Sequence, residues 1–128
     1  MVRSQLRHGA LAAIVLATSF AAPLGASATE HQTTYLTING PFSVPGVDLP
    51  AGTYIFELAN PVIDVSIVRV MSRDRSTVYF MGFTNLVRRP AGLGDRLVSF
   101  GERRAGAPLP IAVWYPSGDS RGREFVYR

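Results

Sequence analysis

Eight carboxylates beyond residue 31 carry most of the acid–base chemistry open to this chain: Asp48, Glu57, Asp64, Asp74, Asp95, Glu102, Asp119 and Glu124. There is no cysteine, and the two histidines are His8 and His31. A nucleophilic triad needs an imidazole to take the proton from the attacking hydroxyl, and His31, close to the start of the expected mature chain, is poorly placed to supply it. Zinc sites built on histidine and cysteine fail for the same reason, and a copper site of the cupredoxin kind requires cysteine with paired histidines. Ser117-Gly118-Asp119-Ser120 offers oxygen ligands but lacks the acidic spacing and closing glutamate of a calcium loop. No cofactor is therefore expected. What remains for catalysis is a pair of carboxylates acting on a glycosidic bond, which requires two acids about 5 to 9.5 Å apart across one cleft. None of the eight stands in a motif for it.

Aromatic residues offer a second chemistry, contact with the apolar faces of sugar rings. Trp114, Tyr115, Phe125 and Tyr127 fall on the last two expected strands, and Trp114, Tyr115 and Tyr127 are the candidate ligand-binding residues. Strand alternation sends Trp114 and Tyr115 to opposite faces, so at least one belongs to the core. The basic residues are all arginine, the side chain suited to bidentate contacts with phosphate or carboxylate. They are scattered, mostly in turns, and do not interleave with aromatic residues along a strand, so nucleic acid is not an expected partner. If the chain from Val62 to Tyr127 is a simple meander, Arg73, Arg75, Arg103 and Arg104 share one end of the sheet and Arg88, Arg89 and Arg121 the other. The two groups then lie a strand length of about 17 to 20 Å apart, beyond the roughly 8 Å screening length at physiological ionic strength. No single anion site is expected to unite them.

The elements that must position these groups begin after a targeting segment. Arg3 and Arg7 form a basic start, Ala10 to Ala22 an apolar run, and Ala26-Ser27-Ala28 a small-residue cleavage site. Pro23 and Gly25 interrupt the run, so residues 1–28 read as a cleaved signal peptide rather than a membrane span. Removing Arg3 and Arg7 from thirteen basic residues leaves eleven against nine acids, a net charge of +2 for residues 29–128. These 100 residues form one domain.

Leu49-Pro50-Ala51-Gly52-Thr53-Tyr54 is the organising turn: Pro50 fixes φ, Gly52 is expected at positive φ, and Tyr54 begins an alternating strand. Its resemblance to a sortase signal fails, because Gly52 precedes Thr53 and the string lies in mid-chain. Strands are expected at Thr33 to Ile38, Thr53 to Leu58, Val62 to Met71, Thr77 to Phe83, Arg96 to Phe100, Leu109 to Tyr115 and Arg123 to Tyr127, with an extended stretch at Phe42 to Val44. Apolar Ile67 and Val68 side by side suggest a bulge or a strand buried on both faces. Asn85 to Asp95, with Arg88-Arg89-Pro90 and Gly92/Gly94, reads as the longest connection. Pro110 argues for an edge or a strand start. About seven short strands with Gly and Pro turns define an all-β, antiparallel β-sandwich or small barrel.

With Pro41-Phe42, Leu49 to Tyr54, Trp114-Tyr115-Pro116 and Gly122 to Tyr127 in place, the order resembles a group of small exported all-β bacterial proteins with a Leu-Pro-Ala-Gly-x-Tyr turn. That turn is also similar to one in transthyretin-like and carboxypeptidase-regulatory sandwich domains, which are mostly accessory or binding modules. The resemblance implies fold and export and carries no catalytic motif. The expected function is a non-enzymatic exported module, periplasmic or extracellular, that binds or supports an envelope protein or glycan. The alternative is a carboxylate-based glycan-acting enzyme or a glycan-binding module.

Overall fold

The computed structural model describes residues 33–128; the expected signal peptide at 1–28, the start at Thr29 and His31 lie outside them. The described residues form ten strands and no helix: β1 (Thr33–Ile38), β2 (Phe42–Val44), β3 (Val47–Leu49), β4 (Gly52–Asn60), β5 (Asp64–Ser72), β6 (Val78–Phe83), β7 (Asn85–Arg88), β8 (Val98–Phe100), β9 (Leu109–Trp114) and β10 (Arg121–Glu124). One sheet has the order β1-β4-β5-β6 and is antiparallel throughout. The other has the order β3-β2-β9-β10-β7, with β8 also paired to β9. Its β2–β9 pairing is parallel. The sheets do not close into a barrel, and the molecule is a β-sandwich.

Alternation places one face of each strand in the shared core. Leu36, Ile38, Tyr54, Phe56, Leu58, Val68 and Val70 from the first sheet meet Phe42, Val44, Leu49, Ile111 and Trp114 from the second, with Phe125 beyond β10. Aromatic rings stitch the layers in offset and edge-on contacts worth about 0.5 to 1.5 kcal/mol each beyond their burial: Phe56 lies 6.1 Å from Trp114 and 6.3 Å from Phe125, and Phe80 lies 5.4 Å from Phe125. The indole N–H of Trp114 donates to the Thr34 hydroxyl at 3.2 Å, which satisfies a buried donor and ties β9 to β1.

The strands depart from the sequence expectation where pairing is non-local. Val47–Leu49, outside the expected strands, is a strand that folds back on β2, with Gly46 at φ +85° in the turn. Asn85–Arg88, read as connection, is β7, and it pairs with β10 rather than with its chain neighbour. The chain leaves the first sheet at Thr84, whose N–H and hydroxyl both bond the Ser66 carbonyl, at 2.9 and 2.7 Å. This switch of sheets removes the simple meander. Pro110 follows the strand-start alternative, as the second residue of β9, and not the edge one, since β9 is the hub of its sheet. The irregularity expected at Ile67-Val68 falls instead at Val70/Met71 in the β5–β6 pairing, with a second at Leu58/Asn60 between β4 and β5.

The organising turn also differs. Gly52 is the first residue of β4, paired with Ile38, and its φ is not positive. Leu49 is buried at the end of β3, and the Tyr54 hydroxyl donates to the Pro50 carbonyl at 2.7 Å. That bond, rather than a left-handed glycine, closes the turn.

Candidate functional site

Of the three aromatic candidates, one is accessible. Trp114 is 0% exposed and faces the core. Tyr115 points to the opposite face of its sheet yet is 5% exposed. It lies against Gly122, where an added Cβ would come within 2.7 Å of its ring, and the Arg89 guanidinium sits 5.5 Å above the ring centre. An exposed row of Trp114 and Tyr115 is therefore corrected: one is core, and the other is roofed by Arg89. Tyr127 is 41% exposed.

Tyr127 lies in a cleft of about 540 Å³ lined also by Pro108, Pro110, Ile111 and Phe125, of which Ile111 and Phe125 are buried in the core. Its hydroxyl lies 2.6 Å from the Ile111 carbonyl and 3.0 Å from that of Ser43, so it donates its proton to backbone where β2 and β9 meet. Burial pushes its pKa up to about 12, partly offset by those bonds, and the phenol stays protonated at neutral pH. It presents a ring edge and no acid–base group. Asp48, Glu102 and Glu124 line the same cleft, with Arg104 and Arg128. Glu124 accepts a 3.4 Å hydrogen bond from Asn85. Among the described residues no group of three His, Asp or Glu side chains converges to hold a metal ion. The three acids thus share a cleft without forming a metal centre.

Four of the other carboxylates are committed to structure. Glu57 stands directly across from Arg69 and accepts from its Nε at 2.9 Å and from its Nη2. Arg75 reaches the same carboxylate at 3.2 Å. Burial raises the Glu57 pKa, but the two guanidinium groups outweigh it and hold the acid below its ordinary value. Arg75 is aimed there by its backbone: at φ 65° it is the one non-glycine in the left-handed region among the described residues, a conformation costing roughly 1 to 2 kcal/mol. Asp74 fixes that hairpin by accepting from the Ser72 and Ser76 hydroxyls, both at 2.7 Å, and from the Ser76 N–H at 3.0 Å, which hold its pKa near 2. Asp64 accepts from the Ser66 hydroxyl and N–H in the same way and is also lowered.

Asp119 serves the second sheet. Its Oδ2 receives Arg123 Nη2 at 3.0 Å, while Oδ1 receives the Arg121 N–H at 2.9 Å. Partial burial opposes the charge, but these donors win and the pKa is lowered. Arg123 is fully buried, and its Nε donates to the Val65 carbonyl of the opposite sheet at 2.8 Å. It is a cross-sheet fastener, and the sequence reading gave it no role beyond opening the last expected strand. The alternation of β10 was its only signal.

No protein family, curated protein or solved structure matches the chain. Among the described residues no helix is long and apolar enough to cross a membrane.

Proposed function

We propose that the chain is exported on its N-terminal segment, is cleaved after Ala28, and acts as a non-enzymatic β-sandwich that binds a glycan at the cell envelope or outside the cell. The supporting observation is the Tyr127 cleft. The Pro108 and Pro110 rings and the part-exposed Tyr127 ring offer apolar surface for the face of a sugar ring, and Asp48, Glu102, Glu124, Arg104 and Arg128, which line the same cleft, supply acceptors and donors for hydroxyl groups. Glu57, Asp64, Asp74 and Asp119, the carboxylates committed to structure, lie outside this cleft.

The second reading is a glycan-acting enzyme, favoured by the three acids lining one cleft. Chromogenic glycosides separate the two. The binding reading expects NMR shifts on soluble oligosaccharides at Tyr127, Ile111 and Arg128 without turnover. Hydrolysis abolished by Asp48→Asn, Glu102→Gln or Glu124→Gln alone would establish the enzyme instead. Mass spectrometry of exported protein tests the leader: the proposed form begins at Thr29, and folded exported protein retaining Met1 would contradict it.

A further inference from the structure

The register of β7 and β10 sets two like charges face to face. Arg88 is the direct partner of Arg121, and the bond from the Arg89 N–H to the Ser120 carbonyl, 3.0 Å, lies one step outside that pair. Such a pair is the narrow, non-hydrogen-bonded kind, with Cα atoms about 4.5 Å apart and side chains side by side on one face. Like charges so placed repel and weaken the pairing. Nearby acids do not relieve it. Asp119 approaches Arg121 Nε only to 4.0 Å, and its other oxygen is taken by Arg123. Among the described residues Arg88 has no carboxylate partner within ion-pair distance.

The pair opens onto a cleft of about 790 Å³ lined by Arg88, Arg89, Arg121 and Ser120 with Leu86 and Val87, and no acid among the described residues lines it. Arg89 is fixed, donating to the Gly94 and Arg96 carbonyls at 2.8 and 3.2 Å, so its charge stays at the site. A concave surface of one sign concentrates its field and raises the local concentration of counter-ions. Two guanidinium forks side by side present more N–H donors than one carboxylate can accept. A tetrahedral dianion can bridge both forks.

We propose that this cleft is a phosphate site, bridged by Arg88 and Arg121, that takes a phosphate monoester or a phospholipid headgroup. The ligand's carbon portion lies along Leu86, which shares a face of β7 with Arg88. The site is distinct from the Tyr127 cleft and does not depend on the glycan reading.

The test is thermal unfolding and two-dimensional NMR of the purified protein with sodium phosphate, against sodium chloride at equal ionic strength. Wild type is expected to melt higher in phosphate than in chloride, with shifts centred on Arg88 and Arg121. Arg88→Gln and Arg121→Gln should each weaken binding at least tenfold, whereas Arg104→Gln, in the other cleft, should leave it unchanged. At low salt without phosphate, Arg88→Gln should melt at or above the wild-type temperature, since it removes the repulsion. Sedimentation with phosphatidylcholine vesicles, with and without phosphatidic acid, separates the sources: selective capture by the acidic vesicles, lost in Arg88→Gln, identifies a lipid headgroup. Phosphate binding without such capture identifies a soluble monoester. Equal effects of phosphate and chloride, or equal phosphate response in wild type and Arg88→Gln, would overturn the site.

Discussion

Arg123 and Arg121 stand two residues apart on the same strand and do opposite things. Arg123 is buried, bonded to Asp119 and to the backbone of the other sheet, and its charge holds the sandwich together. Arg121 projects into a cleft beside Arg88, with Asp119 only at the limit of contact. The same contrast separates Arg69 and Arg75, which share Glu57, from Arg88, which has no acid within ion-pair distance among the described residues. Residue type does not assign an arginine its role; a committed carboxylate does.

The largest effect should come from the buried side. Arg123→Ala leaves Asp119 without its main partner and a void behind Val65, and should cost about 3 to 5 kcal/mol of stability, measured by denaturant unfolding. Next is Gly122→Ala on the same strand, whose new Cβ would lie 2.6 Å from Val113 Cγ1 and 2.7 Å from the Tyr115 ring. The overpacking should cost about 1 to 3 kcal/mol. Glu57→Gln removes a buried charge facing two part-exposed arginines, and about 1 to 2 kcal/mol is expected once solvent screening of Arg75 is allowed for.

The acids also set a pH dependence. Glu57 and Asp119 are both lowered in the folded state, so their stabilisation is complete above the unfolded carboxylate values near 4 and drains away as pH falls through the folded ones. Stability should hold from pH 7 to about 5 and decline below about 4. In Glu57→Gln that acid limb should be shallower, which a melting series across pH 2 to 7 would read. Smallest of all is Arg88→Gln at low salt, expected to raise stability by a few tenths of a kcal/mol.

Much of the frame was legible in the sequence because it is local. Thr33–Ile38 and the core of Gly52–Asn60 alternate plainly, and the Asn60-Pro61 turn joins β4 to β5. β7 was not legible, since Arg88-Arg89-Pro90 and the following glycines look like a loop, and its partner β10 lies far along the chain. The functional surfaces share that cause. Tyr127 stood out as an aromatic residue near the end of the chain, but Asp48, Glu102 and Glu124 come from three separate segments that only the parallel β2–β9 pairing and β10 bring to one cleft. Arg88 and Arg121 meet only through the β7–β10 register. The face of β4 opposite Tyr54 and Phe56 is buried too: Glu57 accepts from Arg69 and Arg75, and Ile55 stands between Tyr35 and Met71.

The sharpest measurement is a pair of denaturant unfolding curves at pH 7 and physiological ionic strength, one for Arg123→Gln and one for Arg121→Gln, each against wild type. Carboxylate commitment predicts a loss of about 3 kcal/mol or more for Arg123→Gln and a change of less than about 0.5 kcal/mol for Arg121→Gln. Comparable losses at the two positions would mean that Arg121 is as structural as Arg123, and the division between fastening and ligand-facing arginines would fall.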